Sequence, residues 1–383
     1  MNPLPHITHI ITGLGLGGAE QALLRLVKAS QGKLLNNSVI SLQAGGALVA
    51  AFEEAGVPVY ELGLNPRLPN PFKLLHLISA IRASKPDLVQ TWMYHADLLG
   101  GLAAKLARRV PIVWNIRNLS FDQQYPNRLT QAVVRLNAIA SGIVPDKIIS
   151  NSVAARDEHI RLGYAKDRML VIPNGFDLAV YAPNNASRRE LREELGVSHD
   201  SLLVGLMARF DPLKDHASFV QAAALLAVEF KHIHFVLAGT HITWENKTLR
   251  QVIEDTGLRH AFSLLGPRAD VPRIMPALDL LVSASVSESF PNIVGEAMAS
   301  GVPCVVTDVG DSRILVGDTG LVVPPRDPKQ LAHACAKVLK QSQTQRLELG
   351  QAARQRIQSN FSLELSLENY SRLYTELIRQ KQL

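Results

Sequence analysis

Two carboxylates eight positions apart, Glu288 and Glu296, and two cations five apart, Arg209 and Lys214, are the groups in this 383-residue chain best suited to chemistry. The glutamates fall in Ser285-Val-Ser-Glu-Ser-Phe-Pro-Asn-Ile-Val-Gly-Glu-Ala-Met-Ala-Ser-Gly-Val-Pro303. An apolar run from Leu278 to Ala284 enters this stretch as a buried strand. A helical pattern follows from Asn292 to Ser300, Gly301 and Pro303 end it, and Val305-Val306 begins another strand. The loop end near Asn292 and Ile293 therefore presents free backbone N–H groups and the positive end of a helix dipole, which suit an anion. The glutamates, themselves negative, suit hydroxyl groups instead. Arg209 and Lys214 lie between a strand over 202–208 and a helix over 216–230, and a planar fork beside a point charge suits a diphosphate. Donors for phosphate next to carboxylates for hydroxyls describe a site for a sugar nucleotide.

The same stretch resembles the Glu-x7-Glu signature of the retaining glycosyltransferases of family 4, the group 1 transferases. Gly301-Val-Pro-Cys-Val-Val-Thr-Asp-Val-Gly310, Thr319-Gly-Leu-Val-Val-Pro-Pro325 and the spacing of Arg209 and Lys214 are similar to the family too. The likeness runs over nearly the whole chain and is most specific over 203–325. Ser289 departs from a usual Gly, and Gly295 from a common Leu, changes that bear on donor choice. The resemblance implies an α/β chain of the GT-B class, two Rossmann-like doubly wound domains facing across a cleft. It implies that Glu296 holds ribose hydroxyls and Glu288 a hydroxyl of the donor sugar. Gly17, Gly18, Arg209, Lys214, Arg268, Phe290, Asn292 and Ile293 complete the implied donor site, and Glu288, His95, Arg209 and Lys214 are its implied catalytic residues. Gly13-Leu-Gly-Leu-Gly-Gly-Ala-Glu20, Gln90-Thr-Trp-Met-Tyr-His-Ala-Asp97 and Asp308-Val-Gly-Asp311 are similar to bacterial enzymes that build surface polysaccharide on a lipid carrier. A glycan or lipid-linked oligosaccharide is the acceptor this implies.

The elements that must position these groups alternate along the chain. A strand over 7–12 enters Gly13-Leu-Gly-Leu-Gly-Gly18 and an amphipathic helix from Ala19, the arrangement that brings phosphate close to backbone. Gly13, Gly15 and Gly18 match GxGxxG, but the second strand, Ser38 to Leu42, ends in Gln43 and Ala44 without the carboxylate that a nicotinamide site needs. Strands and helices then repeat to residue 172, which implies parallel strands covered on both faces, with ligands at their carboxyl ends. His95 follows such a strand end in a loop before a helix from Asp97, and Arg117 follows another. Ile172-Pro-Asn-Gly-Phe-Asp177 and Tyr181-Ala-Pro-Asn-Asn-Ala-Ser187 read as a crossing, with a boundary near residue 180 and Ser187 capping the next helix. This gives an acceptor-side domain over 1–180 and a nucleotide-sugar domain over 181–361. The resemblance implies that the final helix, within 362–383, packs back on the first domain. The loop Pro267-Arg268-Ala269-Asp270 sits where family members hold the base.

Bulk properties narrow the setting. The length suits two domains, and no apolar run approaches the ~20 residues of a spanning helix. The N-terminus does not read as a signal peptide, and Cys304 and Cys335 read as core residues of a reducing, cytoplasmic compartment. The net charge of +6 fits an anionic substrate or membrane, while nucleic acid lacks both a long basic run and stacking aromatics. Leu98, Leu99, Leu102 and Leu106 with Lys105, Arg108 and Arg109 form either an ordinary helix with cations at its C-terminus or a patch resting on the inner face of the cytoplasmic membrane. No two aspartates stand two apart, so we expect metal-independent transfer without a cofactor, with the cations and the helix end stabilising the leaving diphosphate. A sugar-nucleotide epimerase on the same fold, a nicotinamide oxidoreductase and a non-catalytic sugar-binding subunit are the alternatives.

Overall fold

The computed structural model describes residues 3–64, 71–119 and 128–382. Its strands form two wholly parallel sheets. The first, of seven strands among the described residues, runs β3-β2-β1-β4-β5-β6-β7: β1 His6–Ile11, β2 Asn36–Ser41, β3 Val59–Glu61, β4 Leu88–Trp92, β5 Ile112–Ile116, β6 Lys147–Ser150 and β7 Met169–Val171. The second, of six, runs β10-β9-β8-β11-β12-β13: β8 Leu202–Met207, β9 Ile233–Ala238, β10 Phe262–Leu264, β11 Leu280–Ser283, β12 Cys304–Thr307 and β13 Gly320–Val323.

Local sequence accounts for this arrangement. β4, β5, β11 and β12 are buried at every position, as parallel strands covered by helices on both faces must be. Each strand is too short to bury a face alone, and the intervening helices supply the cover. Each sheet reverses its winding once, between β1 and β4 in the first (Ile11 beside Trp92) and between β8 and β11 in the second (Leu281 beside Gly205). At such a reversal the loops from two neighbouring strands diverge and leave a crevice at the carboxyl ends.

The chain divides into one unit of Met1–Asn174 with Glu364–Leu383 and another of Gly175–Leu363. The division falls a few residues before the Tyr181 segment, because Phe176 already belongs to the second unit. Its N–H donates to the Phe361 carbonyl (2.9 Å), and its ring stacks on Phe290. The helix Leu363–Gln382 supplies the first unit with two buried hydroxyls. Tyr370 accepts from Asn115 Nδ2 (3.1 Å), and Tyr374 donates to Gln90. Both amides project from strand positions with no solvent access, where an unpaired polar group costs about 1–3 kcal/mol.

Two local expectations are corrected. Asn184, not Ser187, caps the helix Asn185–Glu194, since its Oδ1 accepts from the N–H groups of Ala186 (2.9 Å) and Ser187 (3.0 Å) and starts the helix earlier. The helix expected from Asp97 begins at Tyr94, so His95 stands in its first turn rather than in a loop. Among the described residues no helix is long and apolar enough to cross a membrane.

Candidate active site

The second unit brings Lys214 and Glu288 into direct contact. Lys214 ends a tight turn, Pro212–Lys214, that follows β8; Asp211 caps the turn by accepting from the Leu213 N–H (2.9 Å). Asp215 then takes a left-handed conformation (φ 46°), which Asp tolerates better than most side chains, and caps the helix His216–Glu229 through the Ser218 N–H. The ammonium of Lys214, so held, pairs with Glu288 Oε1. Glu288 sits in the loop between β11 and the helix Asn292–Ala299, and Ser285 Oγ donates to the same oxygen (2.7 Å). The side chains of Lys214 and Glu288 retain 20% and 14% exposure, enough to meet a ligand and little enough for their charges to act at close range.

Several backbone contacts hold the Glu288 loop. The Val286 N–H donates to the Leu213 carbonyl (2.8 Å), which joins it to the Lys214 turn. The Asp311 N–H donates to the Ser289 carbonyl (3.1 Å). Gly310 has φ 53°, and a Cβ there would lie 2.0 Å from the Glu288 carbonyl oxygen, so only glycine lets the two turns touch. Gly295 has a packing reason as well: a Cβ would lie 2.0 Å from the Phe176 ring.

The other expected donor residues of this unit fall into different surroundings. Arg209 is 60% exposed and pairs with Asp211 (2.9 Å) just after β8. Glu296 is buried on the helix Asn292–Ala299, whose first residues, Asn292 and Ile293, are half-buried. Pro291 at the N-cap offers no side-chain bond to that helix. Phe290 is 5% exposed and its ring packs on Phe176 and Phe361, so the side chain lies in the core beneath the loop and leaves only its backbone toward a ligand. The Arg268 guanidinium is already engaged, with both Asp270 oxygens (2.6 Å) and Glu194 (2.7 Å), and Arg273 joins the same two carboxylates. These bonds hold the Asp270 carboxyl below its ordinary range.

In the first unit, the corresponding positions carry the glycine loop and His95. Gly17 is the N-cap of the helix Gly18–Ser30, makes no side-chain bond to it, and is exposed together with Gly15 and Gly18. Met93, between β4 and the His95 helix, has φ 72°, an outlier of the sort that collects at functional turns. His95 is half-buried, and burial lowers its pKa, so the imidazole is neutral near pH 7. Arg117 is nearly buried over the Trp92 ring (5.3 Å) and donates to Asn174. Ser285, Gly310 and Met93 were not singled out from the sequence. All three stand inside family-like runs, Met93 in 90–97, Ser285 in 285–303 and Gly310 in 301–310, and those runs were the signal.

Two family models cover most of the chain: "Glycosyltransferase Family 4" over residues 16–180 and "Glycosyl transferases group 1" over residues 201–341. The chain belongs to the group 1, family 4 glycosyltransferases. Among curated relatives, this glycosyltransferase is 25% identical over 315 residues, 80% of each chain, to the UDP-Gal:alpha-D-GlcNAc-diphosphoundecaprenol alpha-1,3-galactosyltransferase of Escherichia coli. It is 26% identical over 330 residues, 82% of each chain, to EpsF of Bacillus subtilis, which is named as a glycosyltransferase. The structure of Anabaena HepE in complex with UDP superposes with a TM-score of 0.86 at 24% identity, over 97% of this chain and all of that one. The two parallel sheets are thus those of the GT-B fold. As a member of this family the chain is a glycosyltransferase of the type found in bacterial polysaccharide biosynthesis, and nothing favours the epimerase or the oxidoreductase.

Proposed function

We propose that this glycosyltransferase moves a hexose from a UDP-sugar to a glycan or lipid-linked oligosaccharide, with retention at the anomeric carbon and without a metal or other cofactor. The observation that carries this reading is the meeting of Lys214 and Glu288 at the carboxyl ends of β8 and β11, a cation for phosphate beside an acceptor for sugar hydroxyls. The choice of UDP and of hexose follows the galactosyltransferase relative and the HepE complex with UDP.

In the reaction the bond between the anomeric carbon and the diphosphate oxygen breaks, and the electron pair leaves with the diphosphate. Arg209, Lys214 and the backbone N–H groups at Asn292 and Ile293 stabilise that charge. The acceptor hydroxyl forms the new bond on the same face and passes its proton to the departing phosphate. Glu288 orients the donor sugar through a hydroxyl and Glu296 holds the ribose; in the first unit, neutral His95 is a hydrogen-bonding group for substrate. Gly17 and Gly18 allow close approach to the donor phosphate or the acceptor.

We place the enzyme in the cytoplasm, with peripheral contact to an anionic membrane through the first unit. The helices Tyr94–Ala107 and Arg128–Ala140 pack together and expose Leu102, Leu106, Leu136 and Ile139, the last 74% exposed, with Lys105, Arg108 and Arg135 beside them. Apolar side chains rimmed by cations suit the surface of an anionic bilayer.

Thermal shift with UDP, UDP-glucose and UDP-galactose tests the donor assignment, since a ligand that binds only the folded chain raises its melting temperature. A positive shift with a UDP-hexose and turnover unchanged in EDTA are expected. Turnover abolished by EDTA and restored by a divalent ion would overturn the metal-free reading.

A further inference from the structure

Glu288 meets two donors, Lys214 Nζ and Ser285 Oγ, and both land on Oε1; Oε2 takes neither bond. An ionised carboxylate only accepts, so an occupied Oε1 leaves Oε2 as the oxygen offered to a sugar hydroxyl. The two donors are not equivalent. Lys214 also stands where a diphosphate is expected, and a bound phosphate competes for its ammonium. Ser285 has no such second partner to serve. Ser285 is 3% exposed, and its carbonyl accepts from Thr307 Oγ1 (2.5 Å) on the end of β12, itself buried. The next residue, Val286, is tied to the Lys214 turn.

We propose that Ser285 is a positioning residue that keeps Glu288 Oε1 anchored when Lys214 turns to the donor phosphate, so that Oε2 stays aimed at the sugar. This rests on the reading of Glu288 as the carboxylate of the donor sugar. Ser285 therefore controls how much tighter a UDP-hexose binds than UDP, and it leaves recognition of UDP itself to other groups.

The test is calorimetric binding of UDP, UDP-glucose and UDP-galactose to wild type, Ser285→Ala, Glu288→Gln and the double variant. Ser285→Ala is expected to bind UDP within about twofold of wild type and to lose about tenfold of the extra affinity for the hexose form, the scale of one hydrogen bond to a charged group. The double variant is expected to lose no more than Glu288→Gln alone, because residues acting through one group are not additive. Thr307→Val, which frees the Ser285 carbonyl, should lower the extra affinity in the same direction and gives a second reading should Ser285→Ala fail to fold. If Glu288→Gln removes the extra affinity and both Ser285→Ala and Thr307→Val leave it intact, the Ser285 assignment alone is overturned. Equal losses for UDP and UDP-hexose overturn it too, because they mean general collapse of the loop. Extra affinity untouched by Glu288→Gln overturns the reading of Glu288 and this inference with it.

Discussion

The loop after β1 and the loop after β11 both lie at the winding reversal of their sheets, on opposite sides of it, and they are built in opposite ways. Each leaves a strand at the point where its sheet reverses winding, and each runs into a helix whose N-cap, Gly17 or Pro291, makes no side-chain bond. The first loop is glycine and leucine without a titratable group from Gly13 to Gly18, anchored by the buried Leu14 and exposed from Gly15 on, and a Cβ at Gly15 would meet nothing within 4 Å. The second is packed from below by Phe290, held from the side by Gly310, and bonded through Ser285 and Lys214. An open turn leaves its backbone to a ligand, whereas a packed turn fixes one side chain before any ligand arrives. Catalysis by fixed charge needs the second kind, since its gain comes from groups that do not reorganise during the reaction.

The comparison can be broken most directly at its charged pair. Glu288→Gln and Lys214→Ala should each lower kcat about a hundredfold or more with the fold retained; near-normal steady-state rates for either would remove it from the site. Next comes Gly310→Ala, which forces a Cβ against the Glu288 carbonyl in a left-handed backbone. It should cost about 2 kcal/mol of stability and on the order of tenfold in kcat, read by denaturant unfolding without ligand and by initial rates. Gly17→Ala sharpens the contrast. The atoms nearest its Cβ are those of the Glu20 carboxylate, the far end of a flexible side chain, so unliganded stability should move by less than about 1 kcal/mol. The thermal shift given by UDP-hexose should shrink all the same. Equal sensitivity of the unliganded protein to both substitutions would erase the distinction between the loops.

The smallest effect concerns pH and lies on β1. His9 is fully buried, its Nδ1 accepts from Trp92 Nε1 (3.2 Å), its Nε2 donates to Asn37 (3.2 Å), and burial lowers its pKa from 6.5 to about 4. The unfolded chain takes up this proton first as pH falls. The stability His9 contributes is therefore complete above pH 6.5 and is lost as pH drops toward about 4. His9→Gln should flatten the pH dependence of unfolding free energy across that window.

Much of this was legible in the chain. Apolar runs and helical periodicity gave most strands and the long helices to within a few residues, because parallel strands and amphipathic helices write their burial into the sequence, while the short helices Val49–Glu54, Lys247–Glu254 and Ser312–Val316 were not read. The Lys214–Glu288 meeting was legible as chemistry, from residue type and strand-end position. Phe290 was not, since an aromatic next to a site motif reads the same whether its ring faces ligand or core. Arg268 shows a related limit: its carboxylate partner Glu194 lies 74 positions away. The buried Gln90 and Asn115 left no trace of the tyrosines that pair with one atom of each, because that pairing spans most of the chain.

That last pairing bears on how the protein is made. The second unit is one uninterrupted span, Gly175–Leu363, whereas the first must wait for the helix that contains Tyr370 and Tyr374. On the ribosome the earlier half emerges with two amides inside its sheet still lacking these hydroxyls, and the later half has all its own strands before those hydroxyls appear. The sheet of the first unit thus takes two of its hydroxyl partners from a helix that is translated after the whole of the second unit.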